Sequence, residues 1–229
     1  MQKVLLFYKK WYNYWCLKER TLEVKTLLGD YLEAHVYVIK KGGECLIIDS
    51  GAKLDKVKVA VGTDKVVGIL LTHGHFDHSC YCNDYAKEFN AKVYANENIK
   101  TTMTDPVAIY SEDYSTIDDF SHFEFIKGDG KIKIGGFDIS CYYCPGHSVC
   151  CECYVIDNIM FSGDVLFENG IGRTDLKNSD KKQMFESLCK LENVKFDKVY
   201  SGHGGTSDYA FQMKNIGVFK RFLSREFKQ

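Results

Sequence analysis

Apolar residues in this chain recur in short runs broken by glycine-bearing and polar turns, a rhythm that predicts strands with helices between them. Residues 36–39 and 45–48 flank Lys41-Gly42-Gly43, which reads as a hairpin turn. Residues 67–71 form a continuous apolar run, the pattern of a strand buried on both faces. A helix is expected over 79–89, a strand over 92–95, a further helix near 96–103 and a polar, aromatic loop over 104–123. Strands return at 131–134, 137–143, 153–156 and 159–161, with Gly135-Gly136 and Asp157-Asn158 as turns. Residues 179–191 have helical spacing with Ser179 or Asp180 as cap, followed by a strand at 198–200 and a last helix over 207–227. This pattern describes two β-rich halves with helices outside, an α/β sandwich. It forms one domain over 21–229, preceded by an aromatic extension, residues 1–20, to which the sequence assigns no role.

Composition narrows the classes of function. The chain has 229 residues, 45% of them hydrophobic, which is enough for a sizeable core. A net charge of −1 offers no electrostatic footprint for nucleic acid or an anionic membrane. No apolar run approaches the ~20 residues that span a bilayer. The N-terminal stretch MQKVLLFYKKWYNYWCLKER is interrupted by lysines and lacks the features of a signal peptide, so a cytoplasmic protein is expected. Ten cysteines would then serve mostly as small hydrophobes in a reducing compartment. Cys141, Cys144, Cys150, Cys151 and Cys153 crowd the segment around His147, and Cys80 and Cys82 follow the histidine-rich stretch below. Cys141 and Cys144 have C-x-x-C spacing, but a strand position for one and a turn position for the other would keep them apart.

Candidate chemistry concentrates at the ends of the expected strands. Leu71-Thr72-His73-Gly74-His75-Phe76-Asp77-His78 places three imidazoles and a carboxylate directly after an apolar run. Those are the ligand types that a borderline divalent cation such as zinc prefers. The same grammar of strand, small-residue turn and ligand-type side chain recurs in Pro145-Gly146-His147, Ser162-Gly163-Asp164 and Ser201-Gly202-His203. His73 and His75 can reach one metal, with His147 completing the set. Asp77 and His78 can face a second, joined by His203, while the two oxygens of Asp164 can serve both. Seven ligands for two cations leave open positions for water, the mark of a catalytic centre.

H-x-H-x-D-H followed by Gly-His, Gly-Asp and a further Gly-His resembles the metallo-β-lactamase-fold superfamily, from about residue 22 to residue 205. The resemblance implies a four-layer αβ/βα sandwich with metals at one edge. It implies His73, His75 and His147 on the first metal, Asp77, His78 and His203 on the second, and Asp164 bridging. Residues 162–167 and Gly170-Ile171-Gly172-Arg173-Thr174-Asp175-Leu176 are similar to the glyoxalase II-like branch, which hydrolyses thioesters such as S-D-lactoylglutathione. That likeness implies two divalent ions (zinc first, iron or manganese as alternatives), a metal-bridging hydroxide oriented by Asp77, and a small-molecule thioester as partner. Arg173 falls where those enzymes carry a basic residue that contacts glutathione. Asp175 stands where a glutathione-contacting tyrosine is usual. Only 24 residues follow Gly205, so a short form is expected.

A second reading on the same fold is a mononuclear iron persulfide dioxygenase using His73, His147 and Asp164, since those enzymes share the G-R-T-D segment. Lactonases and phosphodiesterases of the fold are further alternatives. His35 and His122 lie outside the motifs and read as surface or core histidines. Asp49 reads either as a turn cap or as a support for the metal loop. No feature sets an oligomeric state.

Overall fold

The computed structural model describes residues 21–113 and 115–226; the extension over 1–20 lies outside them. A first sheet runs in the order β1 (Glu23–Leu28), β2 (His35–Lys41), β3 (Glu44–Ile48), β4 (Lys65–Leu70), β5 (Val93–Asn96) and β6 (Phe123–Ile126). Its first three strands are antiparallel and its last four parallel. In the second sheet the order is β14 (Thr206–Asp208), β13 (Lys198–Ser201), β10 (Ile159–Gly163), β9 (Glu152–Ile156), β8 (Phe137–Tyr143) and β7 (Gly130–Ile134). Here β10 and β13 run parallel and the other pairs antiparallel. A small ribbon, β11 (Leu166–Phe167) with β12 (Gly170–Ile171), sits beside the second sheet.

Period-two alternation divides the apolar residues between three cores. On β2, Val36 and Val38 point to one side while Tyr37 and Ile39 point to the other; on β3, Cys45 and Ile47 part from Leu46 and Ile48 in the same way. The inner set meets Phe137, Ile139, Tyr154, Ile156 and Phe161 of the second sheet, which makes the sandwich core. The outer set of the first sheet packs on α1 (Leu54–Val61) and α3 (Cys82–Phe89). On the outer face of the second sheet, Met160 and Val199 pack on α5 (Lys181–Leu191) and α6 (Tyr209–Glu226). The result is the four-layer αβ/βα sandwich. Truncating Leu46, wholly buried between the sheets, to alanine would cost about 2–5 kcal/mol.

Several expected boundaries shift for local reasons. The helix expected over 79–89 is two: α2 (Phe76–Ser79), then α3 after a break at Cys80-Tyr81. Ser79 folds back, its hydroxyl donating to the His75 carbonyl at 2.9 Å. The helix near 96–103 begins later, as α4 (Ile99–Met103), because the Asn96 side chain accepts the Asn98 N–H in a turn. Asp180 is the cap of α5, accepting the Gln183 N–H at 2.8 Å, as one of the two expected candidates. Strand β1, where no element is expected, and strand β6, which starts at the last residue of the expected loop, each gain their definition from pairing with a neighbour, β2 and β5.

Glu152, at the start of β9, is buried where the two sheets approach. Asn96 of β5 donates to its Oε2 at 2.9 Å, while Oε1 has no partner, and burial pushes the carboxyl up to about 8. All nine cysteines among the described residues are free thiols. Cys141 lies in the sandwich core and Cys144 in the core under α5, so the C-x-x-C pair does not converge. Burial pushes Cys80, Cys82 and Cys141 up to about 12, which keeps them protonated and inert. Among the described residues no helix is long and apolar enough to cross a membrane.

Candidate metal centre

Every ligand-type residue of the motifs sits just beyond a strand end, on one edge of the sandwich. His73, His75, Asp77 and His78 follow β4, with the last two on α2. His147, Asp164 and His203 follow β8, β10 and β13, strands that all run in the same direction in the second sheet. The four segments leave their strands toward the same edge of the sandwich, and their seven side chains converge there. His73 and His78 are fully buried, His75, Asp77, His147 and Asp164 nearly so, and His203 is half-buried.

Ring orientation follows from what the far nitrogen binds. His147 Nδ1–H donates to the Arg173 carbonyl at 3.0 Å, His203 Nδ1–H to the Leu32 carbonyl at 3.1 Å, and His78 Nδ1–H to Asp49 Oδ2 at 2.8 Å. Each therefore turns an Nε2 lone pair inward. His73 Nε2 and His147 Nε2 lie 3.1 and 3.0 Å from His75 Nδ1. On the other side, His78 Nε2 and His203 Nε2 are 3.2 Å apart, with Asp77 Oδ2 at 3.6 and 3.3 Å from them. Asp164 spans both groups: Oδ2 is 3.5 Å from His147 Nε2 and from His203 Nε2, and Oδ1 is 3.3 Å from His78 Nε2.

This donor set fits divalent cations. The ligand atoms of His73, His75 and His147, of His73, His78 and Asp164, and of Asp77, His78 and His203 each lie within 4.8 Å of one another. Imidazole nitrogens facing one another at hydrogen-bond distance have too few protons to satisfy all of them. Asp164 Oδ1 is buried without a hydrogen-bond partner, an orphan that a cation would satisfy. Electrostatics agree. Burial, reinforced by neighbouring imidazoles, drives His73 well below its ordinary range and His75 down to about 3, so both imidazoles are neutral, the form that can coordinate a cation. Burial opposes ionisation of Asp77 and Asp164, but His78 beside them holds both carboxyls below the usual range. Burial also opposes charge on His78, yet Asp77, Asp164 and Asp49 raise it well above normal. The field of those carboxylates favours positive charge at this point.

Asp49 holds the metal loop and is not a simple turn cap. Its Oδ1 accepts the Thr72 N–H at 2.7 Å, and its Oδ2 accepts the Thr72 hydroxyl at 2.9 Å as well as the His78 ring. Gly202 is needed because a Cβ there would collide with Asp164 Oδ1 and the His78 ring. His35 is a satisfied buried histidine: its Nδ1 bonds Tyr37 Oη at 2.8 Å and the Ser201 carbonyl at 3.1 Å. His122 is half-buried, with its backbone carbonyl accepting from Val93.

Around the mouth, Arg173 is exposed and forms a bidentate ion pair with Asp175, Nε to Oδ1 at 3.0 Å and Nη2 to Oδ2 at 2.8 Å. Tyr110, which sequence reasoning passed over inside the aromatic loop, is the unforeseen member. Its ring meets His75 edge-on at 5.1 Å, its hydroxyl oxygen accepts the Lys177 N–H at 2.6 Å, and its φ is 57°. A tyrosine in the left-handed region costs about 1–3 kcal/mol and persists only where its surroundings demand it. No residue-level signal in a single sequence marks it.

A sequence profile of the family described as "Metallo-beta-lactamase superfamily" matches residues 29–203. The chain belongs to that superfamily. Among curated relatives of this superfamily chain, the "Probable metallo-hydrolase YqgX" of Bacillus subtilis is 31% identical over 77% of this chain and 88% of its own length. The "Hydroxyacylglutathione hydrolase" of Shewanella pealeana is 26% identical over 68% of this chain and 50% of its own length. Among solved structures, the BLEG-1 B3 metallo-beta-lactamase superposes with a TM-score of 0.77 at 26% identity, covering 86% of this chain and 99% of that one.

Proposed function

We propose that this chain is a binuclear metal-dependent hydrolase of small thioesters, of the glyoxalase II type. The observation that carries the reading is Asp164, whose carboxylate lies 3.3–3.5 Å from ligand nitrogens of both histidine groups and has an orphaned buried oxygen. In this reading His73, His75 and His147 would hold one cation and Asp77, His78 and His203 the other, with Asp164 available to both. Two divalent cations held there, zinc first with iron or manganese as alternatives, would supply Lewis acidity, lowering the pKa of water and polarising a carbonyl. The resemblance to glyoxalase II-like segments and the Shewanella relative support a thioester as the substrate.

The protein's own groups then have assigned tasks. Asp77 orients the attacking oxygen through its carboxylate at the second group. His73 and His75, neutral through burial, keep their lone pairs for coordination across the working pH range. A C–O bond forms at the acyl carbon, the C–S bond breaks, and the proton released by water ends on the departing thiolate. Tyr110 walls the His75 side, and Arg173 stands at the rim where the thiol half of the substrate would lie.

Two assays test the proposal together. Metal analysis of purified protein is expected to give about two divalent ions per chain, and S-D-lactoylglutathione or a simpler thioester is expected to be cleaved with weak affinity. A single iron per chain, with oxygen consumed on glutathione persulfide and no thioester cleavage, would replace it with the dioxygenase reading.

A further inference from the structure

We propose that His35 and Tyr37 are positioning residues for the second cation: reaching across the sandwich, they hold the backbone that aims His203 at Asp77 and His78. The inference rests on the binuclear part of the reading above and not on the thioester. It comes from a juxtaposition of strands that share no ladder. His35 and Tyr37 lie on β2 of the first sheet, while Ser201 ends β13 of the second, with Gly202 and His203 directly after it.

Three consecutive residues of that segment are gripped from the β1–β2 hairpin. The Ser201 carbonyl accepts from the Tyr37 hydroxyl and lies 3.1 Å from His35 Nδ1. A carbonyl can only accept, so Nδ1 carries the ring proton, which it shares with Tyr37 Oη 2.8 Å away. The Gly202 carbonyl accepts the His35 N–H at 2.7 Å, and the His203 ring donates to the Leu32 carbonyl. Pairing of β13 with β14 has already stopped, Tyr200 with Thr206 being its last pair. Beyond it the tip has β10 on one side, through the Gly202 N–H to Gly163 carbonyl bond of 2.8 Å, and the hairpin on the other.

The clamp leaves little slack. Tyr37 is 2% exposed, and its ring packs at 5.3 Å against both Phe161 and Tyr200, which fixes where its oxygen points. On the inner side of the tip, Asp164 Oδ1 and the His78 ring stand so close to Gly202 that no Cβ fits. Outward relaxation of Ser201-Gly202 would swing His203 away from His78, whose Nε2 is 3.2 Å from its own. His147 is oriented instead by the Arg173 carbonyl, and His73 follows Thr72, which Asp49 holds. The clamp therefore bears on one histidine group and not on the other.

Zinc titration of the metal-free protein against a competing chelator, repeated with cobalt(II) to read the visible absorption of each position, tests this without turnover. His203→Ala identifies which of the two affinities belongs to the second position. Tyr37→Phe and His35→Leu are each expected to weaken that ion about tenfold and to leave the first within about threefold. Tyr37→Phe keeps the core ring and carries the test should His35→Leu not fold. His35→Asn should recover most of the loss, because an asparagine amide can place an N–H where the imidazole Nδ1–H stands. Variants that weaken both ions alike, as a merely structural role would, variants that weaken neither, or His35→Asn behaving as His35→Leu would each overturn the assignment. A wild type that binds one ion at every metal supply ends the binuclear reading and the clamp with it. Two ions with variants that do not discriminate end the clamp alone, and two ions with the expected pattern but no thioester cleavage end only the choice of substrate.

Discussion

The metal-ligand cluster and the rim above it are built on opposite principles. In the cluster, seven side chains come from segments that follow strands, Asp77 and His78 among them on the short helix α2; all are buried or half-buried, and His78, His147 and His203 have the far nitrogen tied to a fixed acceptor. The rim draws Arg173, Asp175, Lys177 and Tyr110 from loops, with the two ion pairs exposed and one backbone held at positive φ. A rigid cluster fixes the type of chemistry, because ligand number and orientation are set by the sandwich itself. A loop-borne rim can change its charges at small cost in stability, so substrate preference belongs there. Damage to the cluster should therefore appear in metal content and kcat, and damage to the rim in KM and ligand choice.

The largest expected effect comes from Asp164→Ala, which removes the carboxylate common to both histidine groups. Metal content should fall at both positions and kcat/KM by about a thousandfold or more, whereas His203→Ala should leave about one ion per chain, as read by elemental analysis. Retention of two ions by Asp164→Ala would break the bridging role.

Asp49→Asn tests whether the cluster depends on groups that touch no metal. Asparagine tolerates the φ of 61° at this position but cannot accept from Thr72 and His78 as a carboxylate does. Metal affinity should drop about 10- to 100-fold in a chelator competition. An unchanged affinity would mean that sheet packing alone orients His78.

At the rim, Tyr110→Ala should raise KM about tenfold while kcat and metal content stay within about twofold, because it removes a wall and the Lys177 tether but no ligand. Arg173→Ala is a smaller lesion of the same kind, with KM for a glutathione thioester rising more than kcat falls and uncharged thioesters nearly unaffected. If either variant loses metal, cluster and rim are not separable.

Away from both regions, Glu152 should govern stability without touching activity. Its folded carboxyl sits near 8, above the ordinary 4.5, so its contribution is fully present below about pH 4.5 and lost as pH rises toward 8. Glu152→Gln should flatten that slope and gain on the order of 1–3 kcal/mol at pH 8 relative to wild type in denaturant titrations. Parallel slopes would show that the carboxyl ionises inside the fold. Least of all, mild reductant should change nothing, since the nine described thiols are unpaired.

Much of this molecule was written locally. Continuous or alternating apolar runs at 36–39, 45–48, 67–71 and 137–143 mark strands because burial on one or two faces is a property of the strand's own residues. The ligand set was legible for a related reason: the H-x-H-x-D-H stretch and the Gly-His and Gly-Asp turns each combine a strand end with a residue type that has few other uses there. Tertiary structure alone decided the rest. Strands β1 and β6 exist through pairing with β2 and β5, and Asp49 became a support for the loop only when β3 and β4 lay side by side. Arg173 read as an open anchor until its side chain was seen folded onto Asp175, and Tyr110 was one aromatic residue among many until its ring met His75. Periodicity and ligand type are encoded residue by residue, whereas which carboxylate fills a guanidinium fork depends on distances that only the folded chain brings about.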